Sequence, residues 1–219
     1  MTKYSLSLLF IICLTVGVNG QQLRIQMGGN ISFFDYKNSK GESLATLESS
    51  PNASATISYR TMNPMKRFHF SAGLAYNRYS ARGSNPLLNN YFDWQADYLG
   101  LDLVADLEIF RTSFYYGIHK KNLTLILKTV ISPEFLLQGT QTINQEVINL
   151  RGIEQFDKPF LFARGGIALN YYLSKNIGIT FEYLGGRSLF TIGKNIDPDE
   201  ILRFNVHSLE FGLAIRLPE

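Results

Sequence analysis

His207-Ser208-Leu209-Glu210-Phe211-Gly212-Leu213-Ala214-Ile215-Arg216-Leu217 decides how this chain is read. Leu209, Phe211, Leu213, Ile215 and Leu217 share one face; Ser208, Glu210, Gly212, Ala214 and Arg216 share the other. A period of two marks a strand, because successive side chains of an extended backbone point to opposite sides. One face is continuously apolar, and the other is small or charged. Two architectures accommodate such a strand near a C-terminus. One is a secreted β-sandwich. The other is a transmembrane β-barrel, with the apolar face in lipid.

The same rhythm recurs upstream. Residues 23–33 put Leu23, Ile25, Met27, Ile31 and Phe33 on one face and Arg24, Gln26, Asn30 and Ser32 on the other. Residues 53–60, 68–79, 98–109, 123–137, 160–173 and 177–183 alternate in the same way, so the stretch from His207 completes eight predicted strands. Pro133 argues against an unbroken hydrogen-bond ladder in the fifth, since proline has no N–H to donate. Residues 110–121 read as neither clear strand nor clear turn. Between strands, residues 36–52, 80–97, 138–159 and 184–205 read as long polar loops, while Thr61–Arg67 and Ser174-Lys175-Asn176 are short. Long connections thus alternate with short ones. A membrane barrel keeps short turns on the periplasmic side and long loops outside, whereas a sandwich has no reason to alternate them.

The ends and the composition agree. Lys3 and the apolar run Leu6 to Val18, followed by Asn19-Gly20, have the pattern of a secretory signal, so residues 1–20 are read as a signal peptide and 21–219 as one domain. The single cysteine, Cys13, falls inside that signal after Ile12, where a lipoprotein signal requires a small residue. The exported domain therefore has no disulfide and needs its own size or a closed sheet for stability. A formal charge of +3 for the full chain gives no stripe for nucleic acid. No apolar run of about 18 residues follows Val18, which excludes a helical membrane protein and leaves a barrel open.

These features predict an all-β, eight-stranded antiparallel up-and-down transmembrane β-barrel. Its interior would be just wide enough to be filled by side chains. Arg24, Arg60, Arg164 and Arg216 would pair there with Asp102, Asp106, Glu108, Glu182 and Glu210, because an isolated buried charge is costly. Tyr59, Tyr76, Tyr98, Tyr171, Tyr172 and Tyr183 suit aromatic girdles at the two interfaces. Tyr91, Phe92 and Trp94 are the candidate contact patch on the long loops, and they suit a girdle equally.

The chain resembles the small outer-membrane β-barrels common in the Bacteroidetes, related in shape to the eight-stranded OmpA-transmembrane and OmpX barrels. The resemblance rests on a signal cut before Gln21, on Tyr98-Leu99-Gly100-Leu101-Asp102-Leu103, on Ala163-Arg164-Gly165-Gly166-Ile167-Ala168-Leu169 with Tyr171 to Ile179, and on Leu209 to Leu217. In the second stretch the family pattern usually reads Tyr-Leu-Glu-Ile-Pro-Leu, and this chain lacks the Glu and the Pro. Many such barrels end on an aromatic residue; this chain ends Leu217-Pro218-Glu219. The resemblance implies location in a Gram-negative outer membrane, among its lipids, and a shape, without a single activity.

No enzyme constellation emerges. His207 and Ser208 are adjacent on a strand and point to opposite faces, so they do not form a nucleophile–base pair. His69 reads as a packed interior residue and His119 as a turn residue. Asp197-Pro198-Asp199-Glu200 lacks the ligand spacing of a calcium loop and reads as solvated. The expectation is a monomeric, non-catalytic barrel without cofactor or metal, with a structural role or a loop-mediated contact to an envelope protein. Two alternatives stay open: a soluble periplasmic lipocalin-like carrier, with the polar face outward, and a narrow-pore channel threading the interior charges.

Overall fold

The computed structural model describes residues 21–37, 47–61, 67–85, 90–116, 119–144, 146–191 and 201–217. The predicted signal, Cys13 and the acidic cluster Asp197–Glu200 lie outside them, as does the His119 side chain.

The described residues form one antiparallel sheet. Its strands are β1 (Gln21–Lys37), β2 (Leu47–Thr61), β3 (Phe68–Asn85), β4 (Asn90–Tyr116), β5 (His119–Ile143), β6 (Glu146–Asn149), β7 (Phe160–Tyr172), β8 (Ile177–Thr191) and β9 (Ile201–Leu217), with a one-turn helix α1 (Glu154–Asp157) before β7. The sheet order is β4-β3-β2-β1-β9-β8-β7-β5-β6, and β4 pairs in addition with β5. Eight long strands therefore have a partner on each side, and the short β6 is an outlier on the end of β5. First meets last through the stretch from His207 to Leu217: Ile25 lies opposite Leu213 and Met27 opposite Phe211.

Close strand contact is made possible by interior glycines at that seam. A Cβ on Gly212 would sit 2.0 Å from the Ile25 carbonyl oxygen, and one on Gly28 2.0 Å from that of Leu209. Only a residue without a Cβ lets the two backbones approach this far.

The strands run further than the sequence pattern suggested. Residues 80–97, read as a loop, are almost wholly β3 and β4; β2 begins at Leu47, β8 continues to Thr191 and β9 starts at Ile201. Residues 110–121 are the paired ends of β4 and β5, with Arg111 opposite Thr124. Pro133 does interrupt matters locally: β4 and β5 pair at Gly100↔Glu134 and again at Leu103↔Ile131, with the register unchanged. The register of this pairing shifts at Leu137, where Tyr98 faces Leu136 but Asp97 faces Gln138, and again between Glu108 and Phe110. A further bulge, in β2, breaks its pairing to β3 between Ser49 and Ser54. There the Ser32 hydroxyl reaches across from β1, donating to the Ser80 carbonyl (2.9 Å) and accepting from the Ser80 N–H (3.0 Å).

The physical reason for the misread loops is a change of phase. In the lower part of each strand the apolar set faces out. Leu103 is 61% exposed, Phe211 58% and Met27 56%, and Leu74, Leu101, Ile167, Phe181 and Leu213 are exposed beside them. Toward the upper ends the sets exchange faces. In β9, Phe204 and Val206 are buried while Arg203 and Asn205 are exposed; in β4, Trp94, Ala96 and Tyr98 are buried while Gln95 is exposed. A pattern that inverts halfway gives a reader no single apolar face to follow.

Candidate functional site

The interior follows from the inward set of each strand, and it is arranged in tiers. At the lower end, Arg60 Nε lies 2.7 Å and Arg24 Nη1 3.3 Å from Asp106 Oδ2. Glu108 is approached by Arg60 (3.5 Å), His69 (Nε2, 3.2 Å) and Arg111. Arg24 and Arg60 are 1% and 0% exposed, so their charges need the Asp106 and Glu108 carboxylates beside them.

One tier up, Lys128 binds Glu182, which also accepts a hydrogen bond from Gln26 Nε2 (3.0 Å). Beside them is a cavity of about 20 Å³, lined by Asp102, Lys128, Glu182 and Glu210 among others. That is room for about one water molecule and no solute.

The third tier joins the ions to the rings. Arg164 pairs with Glu134 and donates to the Tyr79 hydroxyl (2.7 Å); that hydroxyl donates to Glu134 (2.8 Å), and Asn77 donates to the other carboxylate oxygen (3.0 Å). The Tyr79 ring then points into an aromatic plug. Phe204 is its hub, with ring centroids 4.6 Å from Phe34, 4.8 Å from Phe160, 5.6 Å from Tyr79, 6.0 Å from Phe162 and 6.1 Å from Tyr98. Leu150 and Phe156, from the connection between β6 and β7, close it from above. That connection is tied down by Leu150 N–H to the Gly139 carbonyl (2.9 Å) and by the Tyr98 hydroxyl to the Phe156 carbonyl (3.2 Å). The plug is a core of edge-to-face and tilted rings, of the kind that fills soluble proteins.

Among the residues predicted to share an interior network, Arg24, Arg60, Asp106 and Glu108 meet in the lower tier, and Asp102, Glu182 and Glu210 face the cavity above. Arg164 takes Glu134, a residue sequence reasoning passed over. Lys128 was passed over too. Both have inward parity in the fifth predicted strand, which is the signal that would have found them. Arg216 departs from the prediction: it stands at the lower rim, 4.0 Å above the Tyr172 ring, and donates to the Lys175 carbonyl (3.3 Å) rather than to an acid.

The predicted loop patch is also corrected. Tyr91, Phe92 and Trp94 lie on β4, and they do not share a surface. Tyr91 is exposed, whereas Trp94 is 7% exposed, packed between Phe92 (5.7 Å, stacked) and Phe34 (6.5 Å) as part of the plug. Of the predicted girdle, Tyr59 and Tyr183 are exposed on the outer face, but Tyr98 and Tyr172 are buried inside, because each falls on the inward parity of its strand. Tyr183 meets exposed His207 (hydroxyl to Nδ1, 2.8 Å), while Ser208 faces inward, so the two neighbours do point apart.

No group of three or more His, Cys, Asp or Glu side chains arranged to hold a metal occurs among the described residues. No helix among them is long and apolar enough to cross a membrane, which has no bearing on strands.

No protein-family model matches the chain, and no curated protein is similar to it. Solved structures do match. The outer membrane protein OprG from Pseudomonas aeruginosa superposes with a TM-score of 0.50 at 11% identity, covering 92% of this chain and 98% of that one. Neisserial surface protein A gives a TM-score of 0.46 at 11% identity, covering 88% and 96%. The N-terminal β-barrel domain of Pseudomonas aeruginosa OprF gives 0.40 at 11%, covering 91% and 100%. The likeness to OprG gives the fold class: an all-β antiparallel sheet of the outer-membrane barrel kind.

Proposed function

We propose that this chain is a closed, eight-stranded, transmembrane barrel of a Gram-negative outer membrane, exported by a signal over residues 1–20, monomeric and without catalytic activity. The observation that carries the reading is the outer belt. Leu74, Leu101, Leu103, Ile167, Phe181, Phe211 and Leu213 lie exposed on the outer face while arginines and carboxylates are buried inside. Water would penalise that arrangement twice, whereas a bilayer rewards it. The pairing of β4 with β5 supports closure, since a sheet in lipid tolerates no open edge. In plan the sequence resembles the small Bacteroidetes-type barrels.

The interior supports a wall or a platform rather than a conduit. Ion pairs occupy the lower tiers and the plug stops the upper mouth, and the cavity between them, among the described residues, holds about 20 Å³. This weighs against the narrow-pore alternative. It also weighs against a lipocalin-like carrier. The upper part does have that inside-apolar, outside-polar arrangement, but rings occupy the space a ligand would take. Contacts with an envelope protein would then use the outer face and the upper ends of the strands.

The test is physical. The folded protein should require detergent, should migrate faster unheated than boiled on a denaturing gel, and should give no stepwise conductance in planar bilayers. A chain from residue 21 that stays monodisperse without detergent would end the reading.

A further inference from the structure

On the outer face of β4, β5 and β6, just above the apolar belt, lies a concavity of about 560 Å³. Its origin is the bulge at Leu137. One extra residue in β5 leaves Leu137 and Gln138 both exposed and hands the outward positions above to Gln138 and Thr140. The short β6 extends the wall sideways with Val147 and Asn149, and Arg151 follows it. Below the concavity, Phe135 and Leu99 continue the apolar belt downward.

The chemistry of the lining is one-sided. Its one carboxylate, Asp97, is already taken by a two-pronged contact from Arg78 (Nε 2.6 Å, Nη2 2.9 Å) and by Gln138 Nε2 (2.8 Å). The Arg151 guanidinium has no carboxylate within salt-bridge distance among the described residues, and Arg151 is exposed. Gln95, Thr140 and Asn149 add amides and a hydroxyl. A free guanidinium selects phosphate or carboxylate, amides and hydroxyls suit the hydroxyls of a sugar, and a greasy floor continuous with the belt suits acyl chains.

We infer that this concavity binds the headgroup of a phosphorylated glycolipid of the surrounding leaflet, with phosphate on Arg151 and the chains lying over Leu137, Phe135 and Leu99. The site rests on the membrane reading above. On that reading it lies at the top of the apolar belt, where a leaflet lipid would present its headgroup, and its volume far exceeds what a bare phosphate needs.

The experiment uses the full mature protein in detergent micelles, titrated with fluorescent lipid A, a diphosphorylated glucosamine disaccharide lipid. Arg151→Glu should weaken binding about tenfold or more, as loss of a charge-assisted contact does. Arg203→Glu, an exposed cation on β9, three strands from β5 and four from β4 in the sheet order, should leave it within about twofold. Dephosphorylated lipid A should bind the wild type as weakly as lipid A binds the Arg151→Glu variant. Phosphatidylglycerol micelles and inorganic phosphate should compete poorly. Equal loss in both variants would mean a diffuse charge effect and would overturn the site, as would indifference to dephosphorylation or full competition by phosphatidylglycerol or by inorganic phosphate. Unheated gel mobility of each variant separates these outcomes from failure of the barrel reading: a variant that keeps the fast-migrating form but loses lipid has lost the site alone.

Discussion

Below Tyr79 the interior of this molecule is built from ions; above it, from rings. The two regions use the same eight strands and the same backbone pairing, and they differ in what lies outside them. Where the outer face is Leu, Ile and Phe, the inner face carries Arg24, Arg60, Asp106, Glu108, Lys128 and Glu182. Where the outer face is Arg203, Asn205 and Gln95, the inner face carries Phe204, Val206, Trp94, Ala96 and Tyr98. In the proposed membrane setting the lower wall meets hydrocarbon and is stabilised by packing and complete backbone pairing, so its interior is free to be polar. The upper wall meets water and needs a hydrophobic core of its own. Tyr79 belongs to both regions, with its hydroxyl on Glu134 and Arg164 and its ring against Phe162 and Phe204.

The comparison can be broken at its two centres. Phe204→Ala should cost roughly 3–5 kcal/mol, the range for deleting a buried aromatic side chain. Urea unfolding of the detergent-solubilised protein reads this, and limited proteolysis should show new cleavage in the upper part with the belt still protected. Glu134→Leu alone should cost about as much, roughly 3–5 kcal/mol, because it strands Arg164 in the interior. Adding Arg164→Met should recover most of that loss. If the double variant is as weak as the single one, the ions do more than neutralise each other, and the two interiors differ less in kind than their composition suggests.

The outer faces give the next test. Leu213→Arg, at the middle of the belt, should impair insertion by about 2–4 kcal/mol, while a charge at Asn205 on the same strand should be tolerated. Insertion into preformed vesicles, scored by gel mobility, compares them. Equal tolerance would erase the boundary between the two walls. The smallest expected effect is at that boundary: Ser32→Ala removes the hydroxyl that stands in for β2 in holding β3, at about 1 kcal/mol. A null result there would mean that the β2 bulge needs no substitute partner.

Most of the lower architecture was legible in the sequence. The alternation of Leu209 to Leu217 is long, uninterrupted and backed by a charged opposite face, and the hairpin Tyr172–Ile177 announced itself by Ser-Lys-Asn. The upper part was hidden, although the letters were there. Leu202-Arg203-Phe204-Asn205-Val206 alternates as well as any strand, but in the opposite phase from Leu209 onward. A pattern with one assumed apolar face takes the phase change for the end of the strand and so puts Trp94 on a loop. Glu134 was obscured by Pro133 beside it, and β6 by its brevity.

Periodicity by itself determined that the chain is a set of amphipathic antiparallel strands, because an extended backbone permits only two directions for a side chain. It also determined which residues travel together on a face. Which carboxylate meets which guanidinium was decided only by the tertiary arrangement, since the register sets Arg164 opposite Val130 and Glu134 opposite Phe160, and the two charges meet only inside the curled sheet. The same holds for the plug, where rings from β1, β3, β4 and β7 converge on Phe204 of β9: a core is a property of strands curled toward one another, and no single strand carries the instruction.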